Sequence, residues 1–238
     1  MSSIGGTPAP GAGGLPDQPN LVLLGAAVRF TGCAEGDMAD PTGVDPDVAG
    51  RRRAVVDRPW TVLRQVHGAE VIVVDRPGDA VGTSGDALVS RAPGVALAVL
   101  TADCAPVVFA SPEGVIGVAH AGWRGLVAGV VEATVAAMGK LGATSIQAAL
   151  GPCIRAECYA FGAADLDRAA GRLGDAVRAV TADGAPALDI AAAVGAALRR
   201  AGADLVADAG VCTACSFDYW SWRARADTSR QATVVWQP

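Results

Sequence analysis

Pro106-Val107-Val108-Phe109-Ala110, Ser111-Pro112-Glu113-Gly114 and Val115-Ile116-Gly117-Val118-Ala119 make up the stretch whose reading decides the fold. The outer pieces are apolar runs of strand length and β-type composition, and the middle piece is turn chemistry. Together they predict an antiparallel hairpin. With the hairpin centred on its turn, Cys104 falls opposite residue 120 or 121, so Cys104 and His120 become cross-strand neighbours. Directly opposed side chains hold their Cβ atoms ~4.5–5.5 Å apart, whereas a slip of one residue separates their faces.

Outward from the hairpin, Val95 to Leu100 is a continuous apolar run that reads as a strand buried on both faces. Leu21 to Phe30 reads as a strand, Thr31 to Gly50 as a loop, and Arg51 to Asp57 as a short helix stopped by Pro59. Trp60 to Val66 and Glu70 to Asp75 read as strands around a turn at His67-Gly68. Leu126 to Lys140, Ala163 to Val180 and Ile190 to Arg200 have helical composition. Ser145 to Leu150, Leu205 to Val211 and Thr233 to Trp236 read as further strands. Strands and helices intermix with no central linker and no internal repeat. The expected fold is α/β of the α+β type, with mixed β-sheets layered with helices in one domain over 21–238. A disordered tail rich in Gly, Pro and Ala is expected over 1–20.

Of the 238 residues, 51% are hydrophobic and 18% charged, which suits a globular chain with a substantial core. A formal charge of −5 supplies no basic stripe for nucleic acid or an acidic membrane, so neither partner is expected. The densest basic cluster, Arg51-Arg52-Arg53, reads as a solvated helix face rather than a polyanion site. Lys140 is the only lysine and restricts any Schiff-base chemistry to one position. The longest apolar region, Val95 to His120, is cut by Asp103, Pro106 and the hairpin turn before reaching the ~20 residues of a membrane span. Met1 to Asn20 lacks the charged and apolar regions of a signal peptide. The six cysteines are therefore read as reduced thiols in a cytoplasmic protein.

Both histidines of the chain lie beside glycines at expected strand ends, in Gln65-Val66-His67-Gly68 and Ala119-His120-Ala121-Gly122. For one such histidine alone, a hydrogen-bonded structural role is the ordinary reading. Cys104, after Thr101-Ala102-Asp103 at the end of a buried strand, shifts that balance. A cysteine there is commonly a small hydrophobe, but the adjacent carboxylate of Asp103 needs a partner. The hairpin brings Cys104 to His120, and His67 is the only other imidazole of the chain. Two imidazoles and one thiolate suit zinc, and three protein ligands leave an open fourth position, as in catalytic sites. Copper is a candidate substitute. Asp103 is expected to orient a ligand histidine and stands with Cys104, His120 and Arg64 among the catalytic candidates. Arg64, three residues before His67, and Arg124, four after His120 and just before an expected helix, suit a phosphate or carboxylate. Gln65 is grouped with them for substrate binding.

The remaining cysteines admit a rival arrangement. Cys153, Cys158, Cys212 and Cys215 could gather around a structural zinc, although the Cys153–Cys158 spacing is atypical and no knuckle-like glycine follows. A redox role for Cys212-Thr213-Ala214-Cys215 lacks the βαβ context. A metal-free alternative makes Cys104 the nucleophile and His120 the base of a cysteine hydrolase.

Several motifs occur in order: Arg64-Gln65-Val66-His67-Gly68, Asp86-Ala87-Leu88-Val89, Thr101-Ala102-Asp103-Cys104-Ala105-Pro106-Val107, Gly117-Val118-Ala119-His120-Ala121-Gly122-Trp123-Arg124-Gly125 and Gly151-Pro152-Cys153-Ile154. In these the chain resembles the YfiH family from about residue 60 to the end. Members of that family were long labelled multicopper polyphenol oxidoreductases, or laccases. They are now described as purine nucleoside phosphorylases with adenosine deaminase and methylthioadenosine phosphorylase activity, and some bacterial members are linked to editing of peptidoglycan precursors. The resemblance implies a mixed, multilayered fold and zinc held by His67, Cys104 and His120. It also implies a purine nucleoside and phosphate as small-molecule partners. Two segments depart from the family pattern: Phe30-Thr31-Gly32-Cys33, a remnant of a longer motif, and Arg223 to Gln231, which lacks the usual glycines. A multicopper oxidase couples a blue-copper site to a copper cluster held by many more imidazoles, which two histidines cannot supply.

Overall fold

The structure, a computed structural model, describes residues 19–40 and 46–238; most of the tail expected over 1–20 lies outside them. The chain opens with β1 (Leu21–Leu23), β2 (Ala26–Phe30), α1 (Pro46–Val55), β3 (Trp60–Val62) and β4 (Val71–Val73). The centre of the chain supplies β5 (Ala87–Ser90), β6 (Ala96–Thr101), β7 (Ala105–Ala110), β8 (Ile116–Ala121), α2 (Trp123–Ala128) and α3 (Val130–Lys140). Next come β9 (Gln147–Leu150), α4 (Ala163–Leu173), β10 (Arg178–Val180), β11 (Pro186–Leu188) and α5 (Ile190–Ala201). The last elements are β12 (Asp204–Asp208), α6 (Trp222–Arg225) and β13 (Gln231–Trp236). One sheet runs β1-β2-β13-β6-β3 and a second β12-β9-β7-β8-β5-β4, with β10 and β11 as a separate ribbon.

Side-chain alternation sorts the core into layers. Ala87, Val89, Val107, Phe109 and Ala119 of the six-stranded sheet pack under the helices with Leu126, Val130, Leu166 and Val194. Their sequence neighbours Leu88, Val108, Ile116 and Val118 point the other way, onto Val28, Leu97, Val99 and Val235 of the five-stranded sheet. The outer face of that sheet carries Ala96, Ala98, Val234 and Trp236 against Val55, Val56 and Met38. β6 therefore feeds two clusters from its two faces, as its unbroken apolar run predicts. The mixed α/β expectation holds, and the layers stack helices, sheet, sheet and α1.

The central hairpin forms, with a different register. Ala105 pairs with Ala121 and Pro106 with His120, so Cys104 stands beyond the strand, level with Gly122. The reason is the loop. Ser111 N–H bonds to Val115 O at 2.9 Å and Gly114 has φ +79°, giving a three-residue connection with a left-handed glycine rather than one centred on the four-residue turn. Cys104 and His120 become diagonal neighbours instead of direct opposites, a placement still within side-chain reach.

Three other expectations change. Leu21 to Phe30 is a hairpin, because Leu24 and Gly25 take φ of +47° and +86° and reverse the chain. The segments around His67-Gly68 do not pair with each other: β3 runs parallel to β6 and β4 parallel to β5, so this loop crosses from one sheet to the other. The helix expected over Ala163 to Val180 ends at Leu173, before Gly174 at φ +97° and the strand β10.

Candidate metal centre

The site lies where β8 leaves the sheet. His120 continues the row of Ile116 and Val118, which faces the five-stranded sheet, and its imidazole is buried. Behind it Asp86, fully buried just before β5, places Oδ1 2.8 Å from His120 Nδ1. A carboxylate only accepts, so Nδ1 carries a proton and Nε2 is the nitrogen turned to the open side. The same carboxylate accepts the N–H groups of Val66 (3.2 Å), His67 (2.9 Å) and Gly68 (2.7 Å). Those bonds hold the loop in which His67 adopts φ +60°. One buried carboxylate thus positions both histidines.

Cys104 completes the group. Its Sγ lies 4.0 Å from His67 Nε2, and the ring centroids of His67 and His120 are 4.8 Å apart. The three donor atoms all fall within 4.8 Å of one another, with His67 exposed, Cys104 half-buried and His120 buried. Gly122 makes room for them, since a Cβ there would sit 3.0 Å from both Cys104 Sγ and His67 Cδ2. Burial alone would push the Cys104 thiol up, but the charge and hydrogen bonds of His120, with those of His67, bring it down to about 6. Burial likewise opposes a charged His120, yet Cys104 and Asp86 raise it to about 9. Burial also works against an ionised Asp86, and the bonds from His120 and Gly68 outweigh it and hold the carboxyl below its usual range. Without metal the pair is a thiolate facing an imidazolium.

Asp103 does not orient a histidine. Its Oδ1 accepts the Thr213 hydroxyl and its Oδ2 the Arg223 N–H, each at 2.7 Å, so it ties the Cys104 turn to the C-terminal loops. Asp86, not Asp103, orients the histidine. Gln65 is a brace: Nε2 donates to Leu100 O at 2.7 Å and Oε1 accepts Leu100 N–H at 2.8 Å, which commits its amide to β6. Arg64 is exposed and bonds to Ser84 Oγ. Arg124 is also exposed, within the first turn of α2 rather than before it, with its guanidinium 4.7 Å from the Trp123 ring.

Other groups enter from distant segments. Trp123 meets Phe161 edge-on at 5.3 Å, Phe161 meets Tyr159 at 5.2 Å, and the Arg223 guanidinium lies 4.8 Å from the Tyr159 ring. Burial pushes the Tyr159 phenol up, the charge of Cys104 adds to that, and those of Arg223 and Arg124 oppose it. Arg223 was visible in the sequence only within the divergent C-terminal run. The rival set of four cysteines does not assemble either. Cys153 is fully buried, while Glu157, Cys158, Cys212 and Cys215 form a separate cluster.

The sequence of this family, described as multi-copper polyphenol oxidoreductase laccase, matches residues 40–238. The chain belongs to this family. It is the YfiH family whose motifs carry the site. A relative named as a purine nucleoside phosphorylase, from Streptomyces coelicolor, is 42% identical over 209 residues, covering 86% of each chain. Another of that name, from Deinococcus radiodurans, is 45% identical over 184 residues, covering 74% of this chain and 69% of the relative. The crystal structure of the hypothetical protein YfiH of Bacillus licheniformis superposes with a TM-score of 0.77 at 24% identity, over 90% of this chain and 93% of that one. That likeness shows that the two chains share a fold.

Proposed function

We propose that this YfiH-family chain is a zinc-dependent purine nucleoside phosphorylase, with adenosine deaminase and methylthioadenosine phosphorylase activity on the same site. The observation that carries this reading is the convergence of His67, Cys104 and His120 at an accessible edge, in a chain whose relatives are named purine nucleoside phosphorylases. The donor set fits zinc: two imidazole nitrogens, one thiol already inclined to ionise, and a carboxylate behind one histidine. Bound zinc would supply a Lewis acid that polarises a substrate atom or lowers the pKa of water.

The chain's own residues account for the rest of the binding. Trp123 and Phe161, both half-buried, offer aromatic surface against which a flat purine can stack, with the buried Tyr159 ring behind Phe161. Arg124, exposed and anchored on Trp123, presents a permanent charge for phosphate, and Arg64 stands on the His67 side. Asp103 holds the Cys104 turn in place and acts as a positioning residue. A cytoplasmic setting suits six free thiols. Among the described residues no helix is long and apolar enough to cross a membrane.

Incubation with adenosine, with and without phosphate and beside metal analysis, tests the proposal. Phosphate-dependent ribose 1-phosphate, together with about one catalytic zinc per chain, supports phosphorolysis; inosine formation supports deamination. Neither product from metal-loaded protein overturns both. The Cys104–His120 ion pair favours a second reading, a metal-free cysteine hydrolase, for which a cell-wall precursor is the alternative substrate. Activity that survives chelation and is lost to thiol alkylation would select it.

A further inference from the structure

We infer that Glu157, Cys158, Cys212 and Cys215 form a second, thiolate-rich metal site that takes zinc and staples two loops together. Their donor atoms lie within 4.8 Å of one another, with Cys212 buried, Cys158 half-buried and the other two exposed. Cys158 Sγ is 3.1 Å from Cys215 Sγ, and Cys215 Sγ is 3.9 Å from Glu157 Oε1. Four ligands around a tetrahedral zinc at ~2.3 Å from sulfur and ~2.0–2.2 Å from oxygen stand ~3.3–3.8 Å apart. The cluster reaches that arrangement when its donor separations change by up to about an ångström, within reach of side-chain rotation at loop positions.

The backbone supports the same conclusion independently. Cys212-Thr213-Ala214-Cys215 is a tight turn closed by the Ser216 N–H bonding to Cys212 O at 3.0 Å. The Cys212 sulfur accepts the N–H of Arg155 at 3.3 Å. An amide directed at that sulfur suits a metal-bound thiolate better than a neutral thiol, which is a weak acceptor. A disulfide between Cys158 and Cys215 would use two of these donors and leave Cys212 and Glu157 facing the same point unused. Cys153, the fourth thiol that spacing alone suggests, is buried in the core and is not among the grouped donor atoms.

Metal here would join the turn at Ala156–Cys158 to the turn at Cys212–Cys215, 57 residues away in sequence. It would thereby hold Thr213, whose hydroxyl bonds to Asp103, the residue beside Cys104. The second site is structural and supports one wall of the first.

Metal-stripped, reduced full-length protein titrated with zinc should take two ions per chain. Cys104→Ser and Cys215→Ser should each take one. Cobalt provides a readout that does not depend on a variant folding, because its near-ultraviolet charge-transfer absorption grows with the number of thiolates. Wild-type protein should show about four thiolates' worth, and Cys104→Ser should keep roughly three quarters of it. Glu157→Gln, with every thiol intact, should bind the second ion at least tenfold more weakly, and exchange of amides 211–216 should quicken when that ion is removed. One ion per chain in wild type that Cys215→Ser still binds, two ions in Cys215→Ser, or the absorption of a single thiolate would each overturn the assignment, whereas one ion that Cys104→Ser still binds would count against the first site alone. So would a Cys158–Cys215 disulfide that persists in reduced protein.

Discussion

Oδ1 of Asp86 lies 2.8 Å from Nδ1 of His120, and the same buried carboxylate gathers the amides of Val66, His67 and Gly68. It fixes the ring of one candidate ligand and the loop of the other. Asp86→Asn keeps the shape but confronts those donors with an amide, and should weaken zinc binding by about 10–100-fold. Asp86→Ala leaves a buried imidazolium and three amides without their acceptor. Its metal-free form should lose about 3–5 kcal/mol in urea unfolding. Unchanged zinc affinity in both variants would show that the carboxylate does not position the histidines.

The ion pair sets a pH signature. The Cys104 thiol is brought down to about 6, so its thiolate is present above that pH and is lost as pH falls through it. The His120 imidazolium, raised to about 9, persists until pH rises through that value. In metal-free protein the iodoacetamide reaction of Cys104 should rise through about pH 6 and level off near neutrality. An ordinary thiol, at about 8.5, would still be climbing there. His120→Gln removes the cation and should move the midpoint up by at least one unit. Zinc must displace the His120 proton between pH 6 and 9, so the logarithm of its affinity at this site should rise by about one per pH unit there, and more steeply below. A flat profile would contradict the pairing.

Local chemistry made the hairpin, the two-faced strand β6 and the Cys104–His120 approach legible from sequence. Their signals, an apolar run and a turn cluster, lie within a few residues of one another. The register was less legible because it depends on Gly114 entering the left-handed region, which converts the turn to a three-residue loop. The break at Leu24 had no signal beyond one glycine, since leucine seldom takes positive φ. Asp86 was visible as a motif, but its partner is 34 residues away on another strand, and only the assembled sheet brings them together. Asp103 looked like the carboxylate for a histidine because it adjoins Cys104 in sequence; its left-handed backbone, φ +92°, turns it toward Thr213 and Arg223 instead.

Gly122 tests how closely the donors must approach. Its φ of −65° suits any residue, so Gly122→Ala introduces no backbone strain. The added methyl would meet Cys104 Sγ and His67 Cδ2 at 3.0 Å, inside ordinary contact. Overpacking of this kind costs about 1–3 kcal/mol, equivalent to roughly 5- to 150-fold weaker metal binding if the donors must separate to relieve it. Calorimetric zinc titration should show that loss while the far-ultraviolet spectrum stays unchanged. Undiminished affinity would mean that metal binds away from this cluster.

Arg124 separates phosphate binding from the chemistry of the metal centre. It is exposed, makes no buried ion pair that an alanine would orphan, and rests on Trp123 through its guanidinium. If it holds phosphate, Arg124→Ala loses a charge-assisted contact worth about 1.5–3 kcal/mol, and the KM for phosphate should rise roughly 10- to 150-fold. Zinc content and adenosine deamination, which need no phosphate, should stay near wild type. Arg124→Lys keeps the charge without the planar fork and should recover only part of the loss. An equal fall in deamination and phosphorolysis would place Arg124 against the nucleoside instead, as the partner of the Trp123 stack.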